Sequence, residues 1–167
     1  MARQRKGPAE GTWFGVPLKD GGFAVGLAAR SNRKGLCLGY FFGPRSALVP
    51  TLDQVRQLRP GQAMWVEQFG DLGLIRDEWP VIGLEPEWER KTWPVPPFVR
   101  YDEIGRTALE VLYDDDLSCV SEQPCDPNLR HVLPEDGLAG YQSVELLLNR
   151  MLAEPKQGRT ARVHDGE

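Results

Sequence analysis

The chain has 167 residues, 41% hydrophobic and 26% charged, with 20 basic against 24 acidic side chains and a net charge of −4. This is the composition of an ordinary soluble globular protein, long enough for one domain with its own core and without staples. No apolar run approaches the ~20 residues that span a bilayer, and the basic start MARQRKGPAEG lacks the apolar stretch of a secretory signal, so the expected location is cytoplasmic.

The 18 glycines and 14 prolines predict short strands and many turns rather than a helix bundle. Residues 1–10 are polar and read as a disordered segment ahead of a domain over 11–153. Residues 12–18 (TWFGVPL) and 23–29 (FAVGLAA) read as strands joined through Asp20-Gly21-Gly22, a strong hairpin signal. Residues 36–42 (LCLGYFF) form a third strand, ended by Gly43-Pro44. Gly15, Gly26 and Gly39 fall inside these strands, where glycine marks a bend or a close backbone approach.

Residues 51–58 read as a short helix with Leu52, Val55 and Leu58 on one side and Thr51 as its N-cap. Residues 63–69, 72–76 and 79–84 are strand candidates. A connection rich in proline and tryptophan covers 85–97, and two further strands cover 98–101 and 108–113, followed by the acidic turn Asp114, Asp115, Asp116. Residues 121–137 have turn chemistry and little periodicity. Val144, Leu147, Leu148, Met151 and Leu152 then share one face of an amphipathic helix, capped near Ser143 and stopped by Pro155, with a disordered tail over 154–167. The expected fold is α+β and mostly β: a curved antiparallel sheet or partial barrel with a C-terminal amphipathic helix.

Charge is uneven along the chain. Residues 1–66 carry a net +7, residues 67–126 a net −10 and residues 127–167 a net −1. The acidic block repels phosphates, which argues against nucleic acid as its partner, and suits a basic protein partner or plain solvated surface.

Catalytic signatures are sparse. Of the two histidines, His164 is in the tail and His131 follows a proline-rich loop. The Asp114 to Asp116 run lacks the alternating ligands and central glycine of a calcium loop. There is no GxSxG, no P-loop and no GxGxxG. Cys37 reads as a small core residue, and Cys119 and Cys125 read as free thiols in a reducing compartment. Five tryptophans, Trp13, Trp65, Trp79, Trp88 and Trp93, offer either core packing or interface anchors. The first three sit in or beside strands and read as core. Trp88 and Trp93 lie among Glu85, Glu87 and Glu89 and stand open between the two roles.

Five segments, GTWFGVPLKDGGFAVG, LGYFFGP, FGDLGLIRDEWPVIG, WERKTWPVPPFVRYD and SVELLLNRML, occur in an order that resembles the immunity protein 26 family, found beside bacterial polymorphic toxins. The resemblance spans roughly residues 11–152. One departure is Asp77-Glu78 ahead of Trp79, where a small residue such as glycine is expected. The resemblance implies a protein that is not an enzyme and needs no cofactor or metal. It implies a cognate toxin domain, possibly a nuclease, as partner, and neither nucleic acid nor membrane. The expected interface is Asp71, Asp77, Glu78, Glu87, Glu89, Asp114, Asp115 and Asp116, with Trp88 and Trp93 as anchors. The alternative is a small-molecule or carbohydrate-binding module that uses the aromatic residues as a groove.

Overall fold

The computed structural model of the protein describes residues 7–153. The tail expected at 154–167 and the first six residues of the N-terminal segment lie outside the described residues. Residues 7–10 make defined contacts: the Ala9 carbonyl accepts from the Thr12 hydroxyl at 2.6 Å, and Glu10 pairs with Arg90.

Nine strands follow in chain order: β1 (Thr12–Pro17), β2 (Phe23–Ser31), β3 (Leu36–Ser46), β4 (Trp65–Gly70), β5 (Val81–Leu84), β6 (Phe98–Asp102), β7 (Thr107–Tyr113), β8 (Cys119–Cys125) and β9 (Leu138–Ala139). Three helices accompany them: α1 (Leu52–Val55), α2 (Leu72–Ile75) and α3 (Tyr141–Met151). The central sheet runs β5-β1-β2-β3-β4-β9 and a second sheet runs β6-β7-β8. Every pair is antiparallel except β4 with β9. The fold is therefore α+β and mostly β, with a C-terminal helix and two open sheets.

The central sheet lies between two apolar layers. On one face, Phe14, Val16, Phe41, Phe69, Leu74 and Trp79 pack with Val144 and Leu148 of α3. On the other, Trp13, Leu27, Leu38, Tyr40 and Phe42 pack with Trp93, Phe98, Val111 and Leu117 from the 85–97 connection and the second sheet. Burial on both faces is why FAVGLAA and LCLGYFF show no polar alternation. It also explains two strand glycines. A Cβ on Gly26 would sit 2.4 Å from the Phe14 ring, and one on Gly39 2.6–2.8 Å from the rings of Phe41 and Phe69. These glycines let aromatic rings lie against the backbone; they do not close a barrel.

Several elements differ from expectation. Residues 72–76 are not a strand: α2 is a helical turn, because a four-residue apolar run has no period to separate the two states and Gly73 admits the Trp79 indole. A Cβ on Gly73 would lie 2.7 Å from that ring. The helix at 51 has one turn, closed by a capping box between Thr51 and Gln54. Strand β3 continues through a cis Gly43–Pro44 bond to Ser46. Strand β8 falls where turn chemistry was expected, on an edge whose residues are mostly exposed and so carry little apolar signal. Cys119 and Cys125 occupy its two ends, paired in register with Tyr113 and Ala108, too far apart to bond. Helix α3 starts at Tyr141 with Gly140 as N-cap, one turn earlier than the Ser143 cap, and buries Val144 and Leu148 while Met151 is exposed.

Candidate partner-binding surface

The 85–97 connection is fastened to the central sheet by a polar clamp. Its centre is Arg30, 2% exposed at the end of β2. The β2–β3 register slips between Ala28 and Arg30, pairing Ala28 with Gly39 and Arg30 with Leu38. That bulge turns the Arg30 side chain toward the second layer. Its guanidinium donates to the carbonyls of Ala29 (2.6 Å) and Trp93 (3.0 Å) and to Asp115 (2.9 Å). Two aromatic residues add their own bonds. Trp13 Nε1 donates to Glu85 at 2.6 Å, and the Tyr40 hydroxyl donates to the Pro94 carbonyl. Outside the clamp, Arg90 makes a two-point contact with Glu10 at 2.9 and 3.0 Å.

This arrangement sorts the residues expected at the interface. Trp93 is not an anchor: it is buried, edge-on to Trp13, Tyr40 and Phe42. Asp71 is not on the surface either. It is buried beside Gly7 and Ser31, its Oδ2 has no hydrogen-bond partner, and burial pushes its carboxyl above the usual range. Asp115 is committed to Arg30, and Asp114 accepts the backbone N–H groups of Asp116 and Ser118, which shapes the turn. Asp77, Glu78, Glu87, Glu89 and Asp116 are exposed and make no ion pair among the described residues. Trp88 is half-buried against Gly11.

The acidic segment does not cover one sheet face. Asp77 and Glu78 follow α2, whose Leu74 belongs to the helix-side core, whereas the 85–93 connection packs on the opposite side. What gathers these groups is β5, the edge strand between them. Asp77 and Glu78 precede it, Glu87 and Glu89 follow it, and the strand spans only about 13 Å. A cleft of about 620 Å³ at its far end is lined by Glu85, Glu87 and Glu89 together with Arg56 and Arg59 of the α1 region.

A second polar cluster lies at the other end of the molecule and was not foreseen. Asp136 accepts from Arg100 (2.8 Å) and from the Tyr113 hydroxyl, and Arg100 also meets Glu122 at 3.2 Å. Nearby Glu67 of β4 is 8% exposed and accepts only the Gln68 backbone N–H, at 3.0 Å. Burial pushes its carboxyl up to about 8, with Glu135 and Asp136 adding to the effect. Burial also raises the Cys37 thiol to about 12, so that residue is an inert part of the core. Among the described residues, no three His, Cys, Asp or Glu side chains are grouped to hold a metal ion, and no helix is long and apolar enough to cross a membrane.

The described surface therefore presents an open sheet edge with an acidic rim on an α+β scaffold. The family model of immunity protein 26 matches residues 9–108, from the turn before β1 into β7, and the chain belongs to that family. The matched span contains β5, both its acidic flanks and Arg30; Asp114 to Asp116 and α3 lie beyond it. No curated protein and no solved structure matches the chain.

Proposed function

We propose that this protein binds a cognate toxin domain in the cytoplasm of the producing cell and neutralises it by occupancy, without chemistry of its own. The observation that carries this reading is membership of the immunity protein 26 family over most of the described chain. The contact surface is the acidic rim of β5: Asp77, Glu78, Glu87 and Glu89, with Trp88 as the half-buried aromatic and Asp116, near Arg90, as a further exposed carboxylate. Such a surface steers a basic partner and speeds encounter. The toxin class that fits is one with a basic groove, as a nuclease must have to hold phosphates. Against the small-molecule or carbohydrate-binding alternative, Trp13, Trp79 and Trp93 are buried in the core, which leaves Trp65 and Trp88 as the partly exposed tryptophans for a groove.

The test is co-expression with the toxin domain encoded beside this gene. Restored growth and co-purification of the two chains are the expected result. Glu87→Lys with Glu89→Lys is expected to weaken binding about tenfold and to flatten its salt dependence. Growth arrest with the protein present and folded would reject the reading.

A further inference from the structure

We infer that the open edge of β5 is a docking strand, and that its occupant is an extended, basic segment of the toxin that adds to the central sheet beyond β5. This rests on the proposed function and specifies how the partner is held.

An unpaired sheet edge is normally protected by charge, proline, shortness or a cover. The other edges of this fold follow that rule. Strand β9 has two residues. Strand β8 carries Glu122 and Pro124. The free side of β6 is covered by the 134–136 segment, where Val99 donates to the Pro134 carbonyl at 2.9 Å and accepts from the Asp136 N–H at 2.8 Å. Strand β5 is short, at four residues, but reads VIGL, with neither charge nor proline, and leaves Val81 60% and Leu84 58% exposed. The Glu85 N–H turns inward to the Gly11 carbonyl at 2.7 Å. By strand alternation the N–H and C=O of Leu84 face outward, ready for another strand.

The surroundings of the edge define the occupant. Strand addition takes affinity from main-chain bonds and specificity from side-chain pockets along the edge. At the Val81 end there is a cleft of about 200 Å³ lined by Pro8, Thr12, Leu74, Ile75 and Val81, which suits an apolar side chain. At the Leu84 end the larger cleft holds Arg56 and Arg59 on its α1 side and Glu85, Glu87 and Glu89 on the other; Glu87 and Glu89 make no ion pair among the described residues and suit a basic side chain. A second copy of this chain fits poorly. Antiparallel pairing of β5 with itself would bring Asp77 and Glu78 of one copy against Glu85, Glu87 and Glu89 of the other, like charge on like charge. A basic segment would instead meet the unpaired carboxylates of Asp77 and Glu78 before the strand and of Glu87 and Glu89 after it.

The experiment uses the full chain and the toxin domain encoded beside its gene. Affinity, amide exchange over residues 81–85 and the self-association state are measured for the wild type, Leu84→Pro and Leu84→Lys. Proline at Leu84 removes only an outward N–H, so pairing with β1 is kept. Lysine there touches no core residue and answers for the proline variant if that one misfolds. Expected are slowed exchange at the Leu84 amide on binding and an affinity loss of about tenfold or more in either folded variant. Wild-type affinity in both variants would overturn the docking strand while leaving the immunity reading intact. A wild-type homodimer that Leu84→Lys dissociates would give the edge to a second copy and overturn it too. Failure of the wild type to bind would remove both readings together.

Discussion

Arg30 and Glu67 are both buried in the central sheet, on opposite faces, and the fold treats them in opposite ways. Arg30 faces the second layer and meets two backbone carbonyls and the Asp115 carboxylate. Glu67 lies between Trp65 and Phe69 on the helix side and meets one backbone N–H. A buried guanidinium surrounded by acceptors ties segments together; a buried carboxylate with one donor is pushed toward its neutral form. The difference tracks how the two faces are closed. The helix face is sealed by stacked aromatic rings, Phe14 on Trp79 at 5.5 Å, with the Trp79 Nε1 donating to Glu145 of α3 at 2.9 Å. The other face is closed by an irregular proline-rich connection whose carbonyls must find donors, and Arg30 supplies them.

Cutting the clamp should have the largest effect. Arg30→Met keeps the aliphatic stem but strands the Trp93 carbonyl, and is expected to cost about 3 kcal/mol in urea denaturation. Amide exchange should rise over 85–97 and 114–118 while α3 stays protected. A loss below about 1 kcal/mol would mean that the aromatic contacts of Trp93 hold the connection unaided.

Removing the buried carboxyl on the opposite face should act through pH. The Glu67 carboxyl is raised from 4.5 to about 8, so the native state keeps a proton that the unfolded chain has released. Its stabilising effect is complete below pH 4.5, falls away between 4.5 and 8 and is absent above 8. Glu67→Gln is neutral at every pH and accepts the same N–H. Against the wild type it should gain on the order of 3 kcal/mol at pH 9 and little at pH 4. Thermal melts of both proteins across this range check it, and parallel curves would show that Glu67 titrates normally.

The two faces also differ in how far the sequence disclosed them. The helix side was legible: Trp65 and Trp79 sit in or beside strands, and the i, i+3, i+4 spacing of Val144, Leu147 and Leu148 marked α3. The clamp was not. The bulge at Ala28–Arg30 reverses strand parity, so Arg30 points where alternation would not place it, and its partners other than the adjacent Ala29 carbonyl lie 60 to 85 residues away. A lone cation closing the apolar run FAVGLAAR was the one available signal. Exposure was half legible: Asp77, Glu78, Glu87 and Glu89 are exposed, but composition does not distinguish them from Asp71, turned inward, or Asp115, already paired. That β5 is an edge follows only from topology.

The smallest effect expected is the most discriminating. Asp77 follows α2 with φ +57°, the left-handed region that favours glycine, and the sequence already marked this position as one where a small residue belongs. Glycine there relieves the backbone, at some cost in unfolded-chain entropy, for a net gain of about 0.5 kcal/mol and a melting point about 1–2 °C higher. It also deletes one charge from the rim of β5. Asp77→Asn deletes the same charge but keeps a side chain that tolerates the left-handed region, so its stability should stay near wild type. If the rim steers the toxin, both variants should associate more slowly at low salt and equally so, although only the glycine variant is more stable. Equal association rates for all three proteins would remove Asp77 from the interface. Slower association in the glycine variant alone would trace the effect to the turn's backbone instead of its charge.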